Sequence, residues 1–532
     1  MTQEPDFQES ALQESALQQS ALQEPGLQEP AFPAFADAYG AGRPTLLSLT
    51  LVADLETPVA AFLKLRAQHA GTAFLLESVE GGVVRGRYSM IGLDPDLAWR
   101  CRDGRPEIAR GPDLSAFTRE DAAPLASLRA LIAESAIGAD ADTDVLPPMA
   151  AGLFGYLGYD MVRAMETLGT PNPDPIGVPD AILVRPRVMV VFDSVRDLIT
   201  VVGPVRPAPG IGARAAYEAT LGRLERVAEI LEGPLPVEAR IDPRAIAHPE
   251  PVSNTTPDAY LAMVARAKEY IVAGDVFQVV LSQRFEAPFT LPALALYRSL
   301  RRTNPAPFLC YLDFEDFQLV CSSPEILVRV RDGRVTIRPI AGTRRRGADP
   351  AEDKALAEEL LADPKERSEH LMLLDLGRND VGRVARIGSV TVTGSFFLEF
   401  YSQVMHIVSN VEGELDPKHD VLAALAAGFP AGTVSGAPKV RAMEIIDELE
   451  REKRGPYGGC IGYFGARGEM DTCIVLRTAL VKDGRMHVQA GAGIVYDSDP
   501  ASEQQECVNK AKALFRAAED AVVFASRARR GQ

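Results

Sequence analysis

The sequence predicts a mixed α/β chain of the α+β type, and two kinds of observation carry that prediction. Phe308 to Phe314, Gln318 to Ser322, Ile326 to Arg331 and Arg334 to Pro339 are short β-rich runs joined by short turns, the pattern of an antiparallel meander. Helix starts recur with one signature, a capping side chain followed by proline: Thr256-Pro257, Asp363-Pro364 and Asp499-Pro500. With 532 residues the chain is long enough for more than one domain.

Bulk composition narrows the class. Hydrophobic residues make up 46% and charged residues 24%, ordinary for a soluble globular protein. The net charge of −17, spread along the chain, argues against nucleic acid as the main partner, because phosphate binding needs a basic footprint. A small anionic substrate needs only a local basic site. Cys101, Cys310, Cys321, Cys460, Cys473 and Cys507 show no metal or redox spacing, and we expect reduced thiols in a cytoplasmic protein. No apolar run reaches the roughly 18 residues of a membrane span. The amino-terminal stretch lacks the charge and apolar core of a signal peptide.

In chain order, residues 8–32 are a near-repeat of Gln-Glu-Ser-Ala-Leu. A period of five fits neither helix nor strand, so its leucines form no stripe. We expect residues 1–45 to be disordered. Thr57 to His69 has helical spacing, Ala73 to Ser78 is a strand, Gly81-Gly82 a turn and Arg87 to Gly92 a strand. Glycines and aromatics within Pro148 to Arg163 predict tight backbone packing. Asp180 to Phe192 and Leu198 to Val202 read as strands, and Ala213 to Leu231 as a helix. The Pro-rich connector from Pro234 to Asn254 divides a first domain, 46–254, from a second, 255–527, with a tail at 528–532.

The second domain opens with the helix from Thr256 to Gly274. Val276 to Phe285 alternates little, as a strand buried on both faces does. After the meander, Arg344, Arg345 and Arg346 beside Gly342-Thr343 form either an anion loop or a solvated basic loop. On the helix from Pro364, Glu366 fits a capping box, whereas Glu369 is not needed for capping. Tyr401 to His406 reads as a strand with a single histidine, a residue more often structural than catalytic when alone. Phe429 to Lys439 is a Gly/Ser/Thr loop that can present N–H groups to an anion, without P-loop spacing. Asp471 to Ala479 is a strand interrupted by Arg477, which needs an anionic partner if buried.

Near the end, Gln489 to Tyr496 is strand-like, and Gly491 and Gly493 leave bare backbone for a ligand to approach. On the helix that follows, Glu503, Glu506 and Lys510 share one face. Two helices therefore begin with paired glutamates. Four carboxylates brought together repel, and a hard divalent cation relieves the repulsion. Oxygen-only ligands favour Mg²⁺ over zinc.

Several segments, in order, resemble the large synthase subunit of anthranilate synthases, within the chorismate-utilising enzymes. They are Leu75-Leu-Glu-Ser78, Gly274-Asp-Val-Phe-Gln-Val-Val, Ser323-Pro-Glu325, Pro339-Ile-Ala-Gly-Thr343, Glu369-His-Leu-Met-Leu-Leu-Asp-Leu-Gly-Arg-Asn-Asp380, Gly432-Thr-Val-Ser-Gly-Ala-Pro-Lys439 and the stretch from Gln489. The resemblance covers Thr45 to Arg527 and leaves the repeat outside. It implies two large antiparallel sheets packed as a sandwich with helices outside. It also implies a lyase that converts chorismate and ammonia to anthranilate and pyruvate with Mg²⁺, as the first committed step of tryptophan biosynthesis. Ammonia would come from glutamine through a separate amidotransferase subunit.

The resemblance also implies site roles. Glu366, Glu369, Glu503 and Glu506 supply metal ligands and their neighbours. His406 stands near the reacting face. Glu325 is a general acid assisting loss of hydroxide. Gly342, Thr343, Thr433, Gly491 and Gly493 cradle substrate. Tyr457 and Arg477 hold the enolpyruvyl carboxylate, and Lys510 balances charge. Gln278 stands where isochorismate-forming relatives carry a lysine that activates water; glutamine cannot do so, which suits ammonia as nucleophile. Ala341 stands where aminodeoxychorismate synthases, the nearest alternative, carry lysine. A catalytically inactive tryptophan-binding protein is the non-enzymatic alternative, and the four glutamates with His406 and Arg477 argue against it. Leu76, Glu77 and Ser78, with Asn304, Pro305, Pro307, Phe308, Leu309, Tyr463 and Cys473, imply a pocket for tryptophan as feedback inhibitor. Many relatives have Tyr-Met where this chain has Phe308-Leu309.

Overall fold

The computed structural model describes residues 26–28, 32–80, 84–111, 113–138, 146–147, 149–236, 246, 250–401 and 404–527. Most of the repeat, the Gly81-Gly82 turn, the middle of the Pro-rich connector and the tail lie outside the described residues.

Every recorded strand pair is antiparallel, and the described strands join in one hydrogen-bonded network. Side-chain alternation sorts its residues onto two faces. Along Ala73–Glu80, Leu75 joins an apolar layer with helices Pro58–Arg66, Ala213–Glu232, Ala293–Thr303 and Pro500–Arg527. Phe74 and Leu76 instead enter an interior lined by strands and loops, with Phe154, Leu312, Leu319, Ile461 and Cys473. A third layer packs Leu153, Val328 and Ile474 under helices Pro124–Ser135, Val421–Gly428 and Lys439–Leu449. The result is the expected α/β sandwich, strands inside and helices on both outer faces.

The predicted capping chemistry forms at its helices. Thr256 accepts from the Ala259 N–H, Asp363 from Lys365 and Glu366, and Asp499 from Ser502. Tight packing around Pro148 to Arg163 is also present. A Cβ on Gly155 would lie 2.0 Å from the Ile182 carbonyl, and one on Gly152 would lie 2.2 Å from that of Phe464.

Three local expectations are overturned. Order reaches further toward the amino terminus than expected: Gly26–Gln28 pairs with the strand Thr45–Val52, and Phe32–Gly40 is a helix. The five-residue period ends there, and Phe32, Phe35 and Tyr39 fall at helical spacing. The rings of Phe32 and Phe35 lie 5.4 and 5.1 Å from that of Tyr217. The four-strand meander is instead two hairpins, Phe308–Asp313 with Phe317–Ser323 and Ile326–Arg331 with Arg334–Ile337. Their inner strands pair elsewhere, with Thr478–Lys482 and Met470–Ile474. Pro324 sits at the break, where a donor-less residue suits a lost ladder. Arg477 lies between two strands, in the left-handed region at φ +47°, not inside one strand.

The segments on either side of the connector share strands. Ala73–Glu80 pairs with Phe308–Asp313, and Gly152–Leu157 pairs with Cys460–Gly465.

Candidate active site

Each site residue is placed by a local irregularity. Gln278 opens the buried strand Gln278–Pro288, which pairs with Arg485–Ile494 so that Val280 faces Gly493 and Ser282 faces Gly491. His406 lies on Val404–Glu414 and faces Thr343 across the pair, beside a register shift at Ala341/Thr343. Gly342 supplies that shift with φ +72°, a conformation a side chain would strain. Glu325 hangs from the break between the two hairpins, and Thr433 from the short 3₁₀ turn Gly432–Val434.

His406 is buried. Its Nδ1 lies 3.1 Å from the Gly342 carbonyl and 3.0 Å from the Thr343 hydroxyl. A carbonyl only accepts, so Nδ1 carries the ring proton. Nε2 is then a bare lone pair, and it has no partner among the described residues. Burial first, then the Arg477 charge, lowers the imidazole to about 4, so the ring is neutral at pH 7. Glu325 is the converse. Burial raises its carboxyl to about 8, against the opposing effect of the Thr433 hydroxyl bond and Arg477. It therefore holds a proton at pH 7. Arg477 feels both groups and Tyr401, yet among the described residues its guanidinium has no ion-pair partner. Burial accordingly lowers its pKa. A guanidinium fork left without an ion-pair partner suits an incoming carboxylate.

The paired glutamates of the two helices do approach one another. Glu369 is held above its usual range by burial, then by the carboxylates of Glu366 and Glu506. Glu503 is raised by burial, and Glu506 adds to it against a Ser498 hydrogen bond. The chain's own donors meet these acids singly: Arg344 Nη1 to Glu366 at 2.9 Å, Gln278 Nε2 to Glu369 at 3.3 Å and Lys510 Nζ to Glu506 at 2.7 Å. Among the described residues no three of these carboxylates bring their oxygens within 4.8 Å of one another. The donor set is all oxygen and mutually repelling, and it fits a hard divalent cation.

Two sequence expectations change here, and two glycines prove crowded. Glu366 does not close a capping box; Arg344 draws its carboxylate away. Arg344, Arg345 and Arg346 do not form an anion loop; they lie at the surface, with Arg345 65% exposed, and are tied down by ion pairs. They pair with Glu359, Asp363 and Glu366, with Glu352, and with Asp353. The space beside Gly491 and Gly493 is filled by the chain itself. A Cβ on Gly491 would lie 2.8 Å from the Tyr457 hydroxyl, and one on Gly493 would lie 2.5 Å from Gln278 Nε2. The Gly491 carbonyl accepts from Lys510 Nζ at 2.9 Å. Tyr457 is buried, its hydroxyl beside Gly491 and its ring under the Arg454 guanidinium. Sequence reasoning missed Tyr401, whose ring lies 5.6 Å from His406 edge-on and whose hydroxyl donates to Glu399. Its only signal was an aromatic on the segment that carries the histidine.

The second cluster of expected residues also assembles. Ser78 faces Phe308, Glu77 faces Leu309 and Leu76 faces Cys310 across one strand pair. Leu76, Cys310, Tyr463, Cys473 and Phe308 meet in the strand-lined interior, where the Tyr463 ring lies 5.5 Å from Phe154. Glu77 points away from that interior. Arg301 grips both its oxygens at 2.6 and 2.8 Å, and Tyr297 donates to it at 2.6 Å. Asn304 and Ser322 fasten the loop carrying Pro305 and Pro307.

Residues 94–516 match the chorismate binding enzyme family. Anthranilate synthase component 1 of Cereibacter sphaeroides is 56% identical over 503 residues, covering 94% of this chain and 100% of the relative. That of Pseudomonas putida is 49% identical over 90% of this chain and 96% of its own. Among solved structures, anthranilate synthase component I from Streptococcus pneumoniae superposes with a TM-score of 0.71 at 38% identity, covering 88% of this chain and 99% of that one. The menaquinone-specific isochorismate synthase of Escherichia coli shares the fold, with a TM-score of 0.66 at 19% identity over 96% of this chain and 99% of that one. The family match over residues 94–516 and relatives 49–56% identical along nearly the whole chain, on a shared fold, make this chain a member of the chorismate binding enzyme family, of the anthranilate synthase component 1 type.

Proposed function

We propose that the chain is a lyase that converts chorismate and ammonia to anthranilate, pyruvate and water, the first step of tryptophan synthesis. The observation that carries this reading is the opposed protonation of Glu325 and His406 on either side of the Arg477 charge they share, a proton held up to about 8 and a lone pair free above about 4. Arg477 receives a substrate carboxylate through its free guanidinium fork. Ammonia adds to the ring carbon beside the ring carboxylate. The Glu325 carboxyl gives its proton to the departing hydroxyl, which leaves as water. His406 Nε2 then takes the ring proton as the enolpyruvyl C–O bond breaks and the ring becomes aromatic. Gln278 offers an amide in place of a base and so leaves water unactivated.

The cofactor we assign is Mg²⁺, held by carboxylates from Glu366, Glu369, Glu503 and Glu506. When bound it supplies Lewis-acid stabilisation of charge on the substrate's ring carboxylate. We assign ammonia supply to a glutamine amidotransferase as the second component, and feedback inhibition to L-tryptophan bound near Ser78, Phe308 and Cys473. The six unpaired, buried cysteines suit a reducing compartment such as the cytoplasm. Among the described residues no helix is long and apolar enough to cross a membrane.

The test is incubation of the purified chain with chorismate, ammonium and Mg²⁺, followed by anthranilate fluorescence and product identification. Anthranilate is the expected product. Accumulation of 4-amino-4-deoxychorismate, or no turnover at high ammonium, would overturn the assignment.

A further inference from the structure

Three thiols that the reaction does not use lie together in the strand-lined interior. Cys310 and Cys321 are direct cross-strand partners on Phe308–Asp313 and Phe317–Ser323. Cys473 comes from Met470–Ile474, a strand that pairs with neither. The three sulfurs all lie within 4.8 Å of one another. All three residues are buried, at 4%, 0% and 1% exposure, so the grouping is not a surface coincidence. A metal bound trigonally at about 2.3 Å from each sulfur sets the sulfurs roughly 4 Å apart, so small side-chain rotations suffice.

We propose that Cys310, Cys321 and Cys473 form a trigonal thiol site for a trivalent thiophilic metalloid, with arsenous acid as its simplest ligand.

Charge selects the ligand class. The walls are Leu76, Phe154, Leu312, Leu319, Ile461 and Val475, which cannot stabilise a net charge. Three thiolates around a divalent metal leave a net negative charge, and around a monovalent one more still. A trivalent centre gives a neutral complex. Zinc also wants a fourth ligand, and among the described residues no histidine or carboxylate joins the group. Thiolates are soft ligands and select soft centres. Binding is an exchange without redox change. Each of three As–O bonds gives way to an As–S bond, and each thiol proton leaves with a hydroxide as water, so three waters are released.

The full-length chain is incubated to equilibrium with arsenous acid under argon. Bound arsenic and free thiols are then counted after gel filtration and rapid unfolding, and the arsenic environment is read by X-ray absorption. One arsenic per chain, loss of three of six thiols and an all-sulfur shell are expected. Cys473→Ser should lower the stoichiometry at least tenfold, while Cys101→Ser, outside the cluster, should leave it unchanged. Because Cys473→Ser can also disturb folding, Cys310→Ala serves as a second variant, with circular dichroism on both. Six reactive thiols, a two-sulfur shell, or equal binding by the folded Cys473→Ser and Cys310→Ala chains would overturn the proposal.

Discussion

The hydroxyl of Thr433 lies 3.2 and 3.3 Å from the two oxygens of Glu325, a carboxyl that burial raises to about 8. The acid acts while protonated, so kcat/KM should fall as pH rises through about 8. His406 acts while neutral, so kcat/KM should fall as pH drops through about 4. A hydroxyl bonded to the carboxylate favours the charged form, so Thr433→Val should move the alkaline limb to higher pH. A pH–rate profile on the ammonia reaction checks both limbs. An alkaline limb that stays fixed in Thr433→Val would remove Glu325 as its source.

Gly493→Ala tests the seat of Gln278. Its Cβ would lie 2.5 Å from Gln278 Nε2, at the end of a side chain that can move. The displaced amide loses its 3.3 Å bond to Glu369. We expect the fold to survive and kcat to drop by roughly 100-fold, as for a misplaced group near the chemistry. Unchanged kcat with an unchanged melting temperature would show that the amide position does not matter.

Glu506→Ala should abolish Mg²⁺-dependent turnover. It should also remove the rise in melting temperature that Mg²⁺ gives the unaltered chain, a readout independent of catalysis. Retained turnover would exclude Glu506 as a required ligand. The variant frees Lys510 of its 2.7 Å partner, but that pair is half exposed and contributes little to stability.

Ser78→Phe places a ring opposite Phe308 in the strand pair and should relieve inhibition by tryptophan while leaving turnover unchanged. Glu77→Ala, one residue away, should behave differently. It strands Arg301 and Tyr297 and should cost about 3 kcal/mol in urea unfolding, the scale of breaking a buried pair. Equal stability loss in both variants would mean that Ser78 is structural.

Helix starts were legible because their signals are local. Thr256, Asp363 and Asp499 cap where the chain alone says they should. The glutamate pairs were legible as repeats of one spacing, and the approach of Glu369 to Glu506 was not, since it depends on how two distant helices pack. The neighbours of Arg344 were likewise hidden: its three carboxylate partners lie on or between the helices that follow it in sequence, and only folding turns them back. Gly491 and Gly493 were read as bare backbone open to a ligand, and their crowding by the chain's own side chains was not visible. The crowding comes from Tyr457 and Gln278, which are 34 and 215 residues distant in sequence by subtraction of their numbers. The break at Ser323–Glu325 was invisible because a short turn looks the same whether or not its strands pair.

Shared strands join the chain on either side of the Pro-rich connector. A protease nick between residues 236 and 250 would cut the chain without separating it. Ala73–Glu80 would stay zipped to Phe308–Asp313, Gly152–Leu157 to Cys460–Gly465, and Arg301 would keep its hold on Glu77. The two fragments should therefore complement each other when produced together, and neither should be soluble when produced alone.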